Sequence, residues 1–321
     1  MKAIVYRHFG SPEVLHCEET QKPAPRDGQV LVRVRAAGLN PLDWKLMKGE
    51  PKFLRLVMGL HKAKHPGVDV AGEVESIGPG VTQFKPGDPV FGACRGALAD
   101  YVCAPASSLA IKPDNVSFEQ AASVPIAAWT ALQGLRDKAH IEPGQTVLIN
   151  GAAGGVGTFA VQLAKHFGGQ VTGVCSTRNL ELIRSIGADR VLDYTQQGLA
   201  EDQQQYDVVL ECVGNLSLPH IRGMLRPKGV CVMIGASPDV SLAAILGGVL
   251  KLLVLAPFTK QKILTFMARR DANDLNFIAG LLQSGVVTPV IDRCYSLDEV
   301  QAALRYLEAG HVHGKLVVRI A

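Results

Sequence analysis

Val147-Leu148-Ile149-Asn150-Gly151-Ala152-Ala153-Gly154-Gly155-Val156-Gly157 is the stretch whose reading decides the fold. An apolar strand, Thr146–Asn150, runs into a glycine-rich turn, and a helix over Val156–Phe167 starts directly after it. Glycines let the backbone come close to a pyrophosphate, and the amides and dipole at a helix N-terminus favour its negative charge. A glycine triplet alone is weak evidence. Placed between a strand and a helix, and followed by repeats of the same pattern, it is a strong sign of dinucleotide binding. The competing reading is a tight turn that holds no ligand.

Downstream, strands and helices alternate. Strands are expected at Val171–Cys175, Val191–Leu192, Val208–Glu211 and Val230–Ile234, with helices at Leu180–Ile186 and Leu218–Leu225. Such alternation means βαβ units and a doubly wound parallel sheet. Upstream the character differs. Short strands at Gln29–Ala36, Val68–Ile77 and Pro89–Phe91 lie between Gly/Pro turns, the pattern of a β-rich unit. A helix over Glu119–Leu135 marks the change. After about residue 260 the alternation loosens into helices at Asn273–Ser284 and Asp298–Ala309 and a last strand, Lys315–Ile320. Chain termini in compact domains often lie close together, so this tail is expected to return to the N-terminal unit. The resulting division is 1–122, 123–262 and 263–321.

The end of the second strand of the parallel sheet bears on cofactor choice. NAD-binding versions carry an acidic residue about twenty positions after the glycines, which accepts hydrogen bonds from the ribose hydroxyls. Here the strand ends at Cys175 and continues Ser176-Thr177-Arg178-Asn179. A hydroxyl and a guanidinium suit a 2′-phosphate, hence NADPH. Alternatively, Ser176 caps the next helix and Arg178 is a solvated charge.

Composition bounds the rest. With 321 residues, 47% of them hydrophobic and 19% charged, the chain is an ordinary globular protein large enough for two domains. Its net charge of +4 is spread along the sequence without a Lys/Arg block, which argues against nucleic acid as partner. No secretory signal is read at the N-terminus. The most apolar stretch, Leu242–Phe258, is interrupted by Gly247, Gly248, Lys251 and Pro257. It is expected to be a buried or subunit-contact helix rather than an integral membrane span. Seven cysteines without a CxxC pair fit reduced thiols and a cytoplasmic location.

Taken together, these residues carry a family resemblance. The run Gly151–Gly157 resembles the cofactor loop of the medium-chain dehydrogenase/reductase superfamily, in its quinone oxidoreductase (zeta-crystallin-like) branch. Asn40-Pro41-Leu42-Asp43-Trp44-Lys45 is similar to that branch's Asn-Pro-x-Asp motif. Pro66-Gly67-Val68-Asp69, Gly78-x-Gly80-Val81, Phe84-x-x-Gly87-Asp88, Ala127-Ala128-Trp129-Thr130-Ala131 and Gly314-Lys315-Leu316-Val317 follow in the family's order. The resemblance implies a GroES-like β-rich catalytic domain joined to a Rossmann domain, a homodimer, and reduction of quinones or of the C=C bond of enones and alkenals. The superfamily's alcohol dehydrogenases hold a catalytic zinc through an early Cys and a Gly-His-Glu motif. Here Asn40 stands near the Cys position, Gly67-Val68-Asp69 replaces Gly-His-Glu, and the structural-zinc cysteine cluster is missing, so no metal is expected. His61 and His65, four residues apart, are read as lining a polar loop.

By the same resemblance, Asn40 and Thr130 lie near the nicotinamide–ribose end, and Ala153, Gly154, Gly155 and Val156 meet the pyrophosphate. Ser176, Arg178 and Tyr194 take the adenosine side. Val213, Gly235 and Ala236 end later parallel strands, and Lys315 reaches the cofactor from the terminal strand. Asp43 and Lys45 are candidates for proton relay or oxyanion stabilisation, the other reading being a surface ion pair. Asn40 can equally be a plain Asn-Pro turn. Two rival functions remain: an enoyl reductase acting on a carrier-bound small molecule, and a non-catalytic NADPH-binding protein.

Overall fold

The structure, a computed structural model, describes residues 1–49, 65–196, 198–199, 202–234 and 260–320. The apolar stretch Leu242–Phe258, His61, Gly235 and Ala236 therefore lie outside the described residues. Along the chain come strands β1 (Lys2–Val5), β2 (His16–Glu19) and β3 (Gln29–Leu39), helix α1 (Pro41–Lys48), and strands β4 (Asp69–Ile77), β5 (Pro89–Ala93), β6 (Tyr101–Pro105) and β7 (Leu109–Ile111). Helices α2 (Phe118–Ala122) and α3 (Pro125–Gln133) follow. Then come β8 (Thr146–Asn150), α4 (Gly155–His166), β9 (Gln170–Cys175), α5 (Leu180–Ser185), β10 (Arg190–Asp193), β11 (Tyr206–Glu211), α6 (Leu218–Met224), β12 (Leu225–Met233) and β13 (Lys262–Thr265). The tail holds α7 (Ala272–Gln283), β14 (Ile291–Ser296), α8 (Val300–Glu308) and β15 (Lys315–Arg319).

Two compact units result, one of Met1–Trp129 with Arg269–Ala321, the other of Thr130–Ala268. Both divisions fall a few residues C-terminal to the boundaries read from the sequence. In the first unit a seven-stranded sheet runs β14-β15-β3-β4-β5-β7, with β6 also on β3. β15 pairs antiparallel with β3, Leu316 opposite Leu39 and Val318 opposite Ala37, so the C-terminal strand completes the sheet that the N-terminal strands begin. Alternate residues Val30, Val32 and Val34 point into one apolar core with Leu39, Met47, Val70, Leu304, Leu316 and Val318. This is the GroES-like, β-rich unit.

The second unit is a six-stranded, wholly parallel sheet in the order β10-β9-β8-β11-β12-β13. The chain winds outward from β8 to β10, then returns to lay β11 on the other side of β8. That reversal between β8 and β11 is where doubly wound sheets gather their ligands. β8 is buried at every residue, as a strand covered on both faces must be.

One expected helix is broken. Glu119–Leu135 divides into α2 and α3, because Pro125 has no N–H to donate and restricts the residue before it. The helix beyond α3 then widens to a π-helical segment, Gly134–Ala139. A shorter correction applies to Asp298–Ala309, whose first turn, Leu297–Glu299, is 3₁₀ before α8 begins.

Candidate active site

The glycine turn explains itself residue by residue. Gly151 sits at φ +78°, in the left-handed region that side chains avoid. A Cβ on Gly157 would lie 2.1 Å from the Gly151 carbonyl oxygen, so only glycine lets α4 pack this closely on the end of β8. Gly154 differs: a Cβ there would meet nothing nearer than the Gly151 oxygen at 3.3 Å. That contact is tight but far less severe than the one at Gly157. Gly154 is also the N-cap of α4 and brings no side chain to cap the helix. The first-turn amides of Gly155, Val156 and Gly157 are thus the kind of helix terminus that binds an anion. Ala153 is buried beneath the turn, and Gly154, Gly155 and Val156 are half-buried at its rim. A dinucleotide pyrophosphate fits these residues.

At the end of β9, Ser176 is half-buried and Arg178 is exposed. Ser176 is the N-cap of the short 3₁₀ turn Thr177–Asn179, yet its hydroxyl does not cap a backbone amide; it accepts from Asn179 Nδ2 at 3.2 Å. The intervening Thr177 hydroxyl donates to Asp193 Oδ2 at 2.5 Å, which ties this turn to the end of β10. Tyr194 follows on the next residue, 60% exposed, and its amide donates to the Cys175 carbonyl. Val213, at the end of β11, is also an exposed apolar side chain. Its Cγ2 lies so near Gly151 that a Cβ on Gly151 would come within 2.7 Å. Thr130, half-buried on α3, belongs to this unit as well.

The first unit holds a second cluster. Pro41 occupies the first turn of α1, where its missing N–H costs nothing, and Asp43 sits at the third helical position. Asp43 Oδ2 accepts from the Asn40 amide at 2.7 Å, so the Asn-Pro-x-Asp motif is a helix start. The Asn40 side chain looks elsewhere. Its Nδ2 donates to Asp69 Oδ2 at 2.8 Å, and its Oδ1 accepts from Lys315 Nζ at 2.6 Å. Lys315 also lies 3.2 Å from Asp69 Oδ2, and Asp69 Oδ1 accepts from the Ile126 amide at 3.1 Å. All four side chains are buried, Asp69 completely.

Burial pushes the Asp43 carboxyl up to about 7; nearby Asp69 pushes the same way, while the Asn40 and Gly67 amides and Lys315 oppose. Burial also raises Asp69, with Lys315 and Asn40 pulling it down. Lys45 is half-buried, its ammonium 5.7 Å from the Trp44 ring centroid, and burial lowers its pKa. The structure thus joins Asn40, Asp43 and Lys315 in one cluster and sets Ala153–Val156 and Val213 around one turn. Asp69 takes no part in the site read from the sequence, although an acidic residue opening a strand otherwise apolar at its start was the available sign. His65 is exposed. Among the described residues no group of three or more His, Cys, Asp or Glu is arranged to hold a metal ion. No helix among them is long and apolar enough to cross a membrane.

A doubly wound sheet with a dinucleotide turn, on one chain with a GroES-like unit, defines a nucleotide-dependent oxidoreductase. Comparison with known proteins agrees. Residues 26–114 match the alcohol dehydrogenase GroES-like domain family and residues 186–318 match the zinc-binding dehydrogenase family. The chain is 35% identical over 333 residues to 2-methylene-furan-3-one reductase of Solanum lycopersicum, covering 99% of this chain and 79% of the relative. It is 34% identical, with the same coverage, to the chloroplastic NADPH-dependent alkenal/one oxidoreductase of Arabidopsis thaliana. The solved quinone oxidoreductase from Coxiella burnetii superposes with a TM-score of 0.86 at 31% identity, over 100% of this chain and 99% of that one. The chain belongs to the medium-chain dehydrogenase/reductase superfamily, in its quinone oxidoreductase and alkenal/one oxidoreductase branch.

Proposed function

We propose that this protein reduces quinones, or the C=C bond of α,β-unsaturated carbonyl compounds, by zinc-independent hydride transfer from NADPH. The observation that carries this reading is the end of the parallel sheet: an open, uncapped α4 N-terminus beside a β9 end that offers Ser176 and Arg178. The acceptor class follows from the names of the relatives. NADPH, when bound, supplies the hydride.

The chain's own residues do the rest. Ala153, Gly154, Gly155 and Val156 hold the pyrophosphate. Arg178 and Ser176 bind the 2′-phosphate, and Tyr194 covers the adenosine. By the family resemblance, Thr130, Asn40, Val213, Gly235, Ala236 and Lys315 are the residues assigned to the nicotinamide half of the cofactor. Asp43 fixes the backbone at Asn40, and the Lys315 ammonium fixes its side-chain amide. Lys45 and Thr130 are the candidate donors toward the oxygen on which an enone or quinone gathers charge, and water supplies the proton at carbon. Conjugated acceptors carry their own electron sink, so a few donors suffice. A saturated alcohol lacks that sink, and Asn40 and Val68 stand where the superfamily's alcohol dehydrogenases have zinc ligands. Seven free cysteines support a reducing, cytoplasm-like compartment. The reading also includes a homodimer.

The test incubates purified protein with NADPH and, separately, an enone, an enal, a quinone and a simple ketone, with and without a chelator. Saturated carbonyl products or hydroquinone, no alcohol from the simple ketone, and no effect of chelation are expected. Fastest reduction of the simple ketone, or turnover that requires one zinc per chain, overturns the proposal.

A further inference from the structure

Glu211 is the last residue of β11, directly opposite Asn150 at the end of β8, so the two flank the point where the sheet reverses direction. It is completely buried. A buried carboxylate is costly unless paired, and among the described residues no Lys or Arg pairs with this one. Among the described residues its side-chain partners are neutral N–H groups. Oε1 accepts from the Val213 amide at 2.8 Å and the Gly214 amide at 2.7 Å, and Asn150 Nδ2 lies 3.0 Å from Oε1 and 2.8 Å from Oε2. Asn150 Nδ2 also donates to Asn215 Oδ1 at 2.9 Å, and the Cys212 amide donates to the Asn150 carbonyl at 3.1 Å. Residues 212–215 are therefore sewn to the last residue before the glycine turn. Val213, which packs on Gly151, is held in that position from below.

We propose that Glu211 is the positioning residue of the dinucleotide site, fixing the 212–214 turn against the glycine turn so that the two form one rigid cradle. This inference rests on the proposed NADPH function. Two backbone amides converging on one oxygen demand a strong acceptor, which a carboxylate provides better than a neutral amide. The same contacts withdraw the Val213 and Gly214 amides from competition, leaving the α4 N-terminus as the anion-binding surface. None of the hydrogen bonds just given involves Ser176 or Arg178, so the effect should fall on the half of the cofactor that NADPH and NADH share.

In Glu211→Gln the side-chain oxygen can keep the two backbone amides, but its NH2 group then faces the Asn150 NH2 group, donor against donor. Leaving such groups unmatched should raise the Kd of NADPH and of NADH by the same factor, on the order of tenfold, measured by isothermal titration calorimetry. KM for the cofactor should rise with it, while kcat at saturating cofactor stays within roughly twofold, a split that simple destabilisation does not produce. The double variant Asn150→Asp with Glu211→Gln reverses the pair's polarity, and the Asn215 amide can turn to donate. It should recover parental affinity to within about threefold. If Glu211→Gln does not fold, this double variant carries the test against the parent. Unchanged Kd in a folded Glu211→Gln, an effect on NADPH alone, or no recovery in the double variant overturns the inference while leaving the function intact. A parent protein that binds neither dinucleotide overturns both.

Discussion

Arg178 is exposed and stands where NAD-binding sheets place a carboxylate, so its side chain should matter for one cofactor only. A charge-assisted hydrogen bond contributes about 1.5–3 kcal/mol, so Arg178→Ala should weaken NADPH binding roughly ten- to a hundredfold and leave NADH nearly unchanged. Equal loss for both cofactors, or none for either, contradicts the assignment. Asp43 makes a different kind of prediction. Its carboxyl is raised from 3.8 to about 7, chiefly by burial, so across that interval the native state keeps a proton that the unfolded chain has released. The stability this provides is complete below about pH 4 and is lost as pH rises through about 7. Asp43→Asn keeps an acceptor for the Asn40 amide and removes the titration. In urea unfolding at a series of pH values, the variant should therefore gain on the parent as pH rises from about 4 to about 7; a constant difference contradicts this. At this scale the sequence was partly legible. Asn40, Asp43 and Lys315 are identifiable from their motifs, but that Lys315 meets Asn40 across 275 positions is a fact of sheet pairing that no local pattern carries. Glu211 escaped for a related reason: a charge ending an apolar strand looks like an ordinary exit to solvent until β8 is set beside it.

In the proposed function the glycine turn holds the pyrophosphate, and its glycines serve separable ends. Gly154 has φ −80°, and a Cβ there would lie 3.3 Å from the Gly151 oxygen, a contact that a shift of a few tenths of an ångström relieves, so Gly154→Ala should cost much less stability than Gly157→Ala while obstructing the pyrophosphate and weakening both cofactors. Gly157→Ala would drive a methyl group to 2.1 Å from a backbone oxygen, and should cost about 1–3 kcal/mol of stability or more. Thermal melts paired with cofactor titration separate the two. If Gly154→Ala binds cofactor like the parent, Gly154 does not meet the pyrophosphate. The βαβ elements were legible because β8, β9 and β11 are apolar strands set off by distinct punctuating turns. α1 was not, since its eight residues carry little periodicity and its start reads as an Asn-Pro turn. The break between α2 and α3 was written in Pro125, but the apolar run across it, including the buried Ala127, Ala128 and Trp129, imitates one continuous helix.

For the whole molecule, the alternation from residue 146 onward announces a parallel sheet, whereas the return of β15 to β3 follows only from the general tendency of termini to meet. The acceptor lies beyond both, because hydride chemistry on a quinone, an enone or an alcohol uses the same nucleotide-binding sheet. What separates them is where the hydride lands. The most direct measurement uses NADPH carrying deuterium at the transferable C4 position, with an enone as acceptor, and locates the label by NMR and mass spectrometry. The account predicts a saturated ketone with deuterium on the β-carbon. An allylic alcohol with deuterium on the carbinol carbon would contradict it.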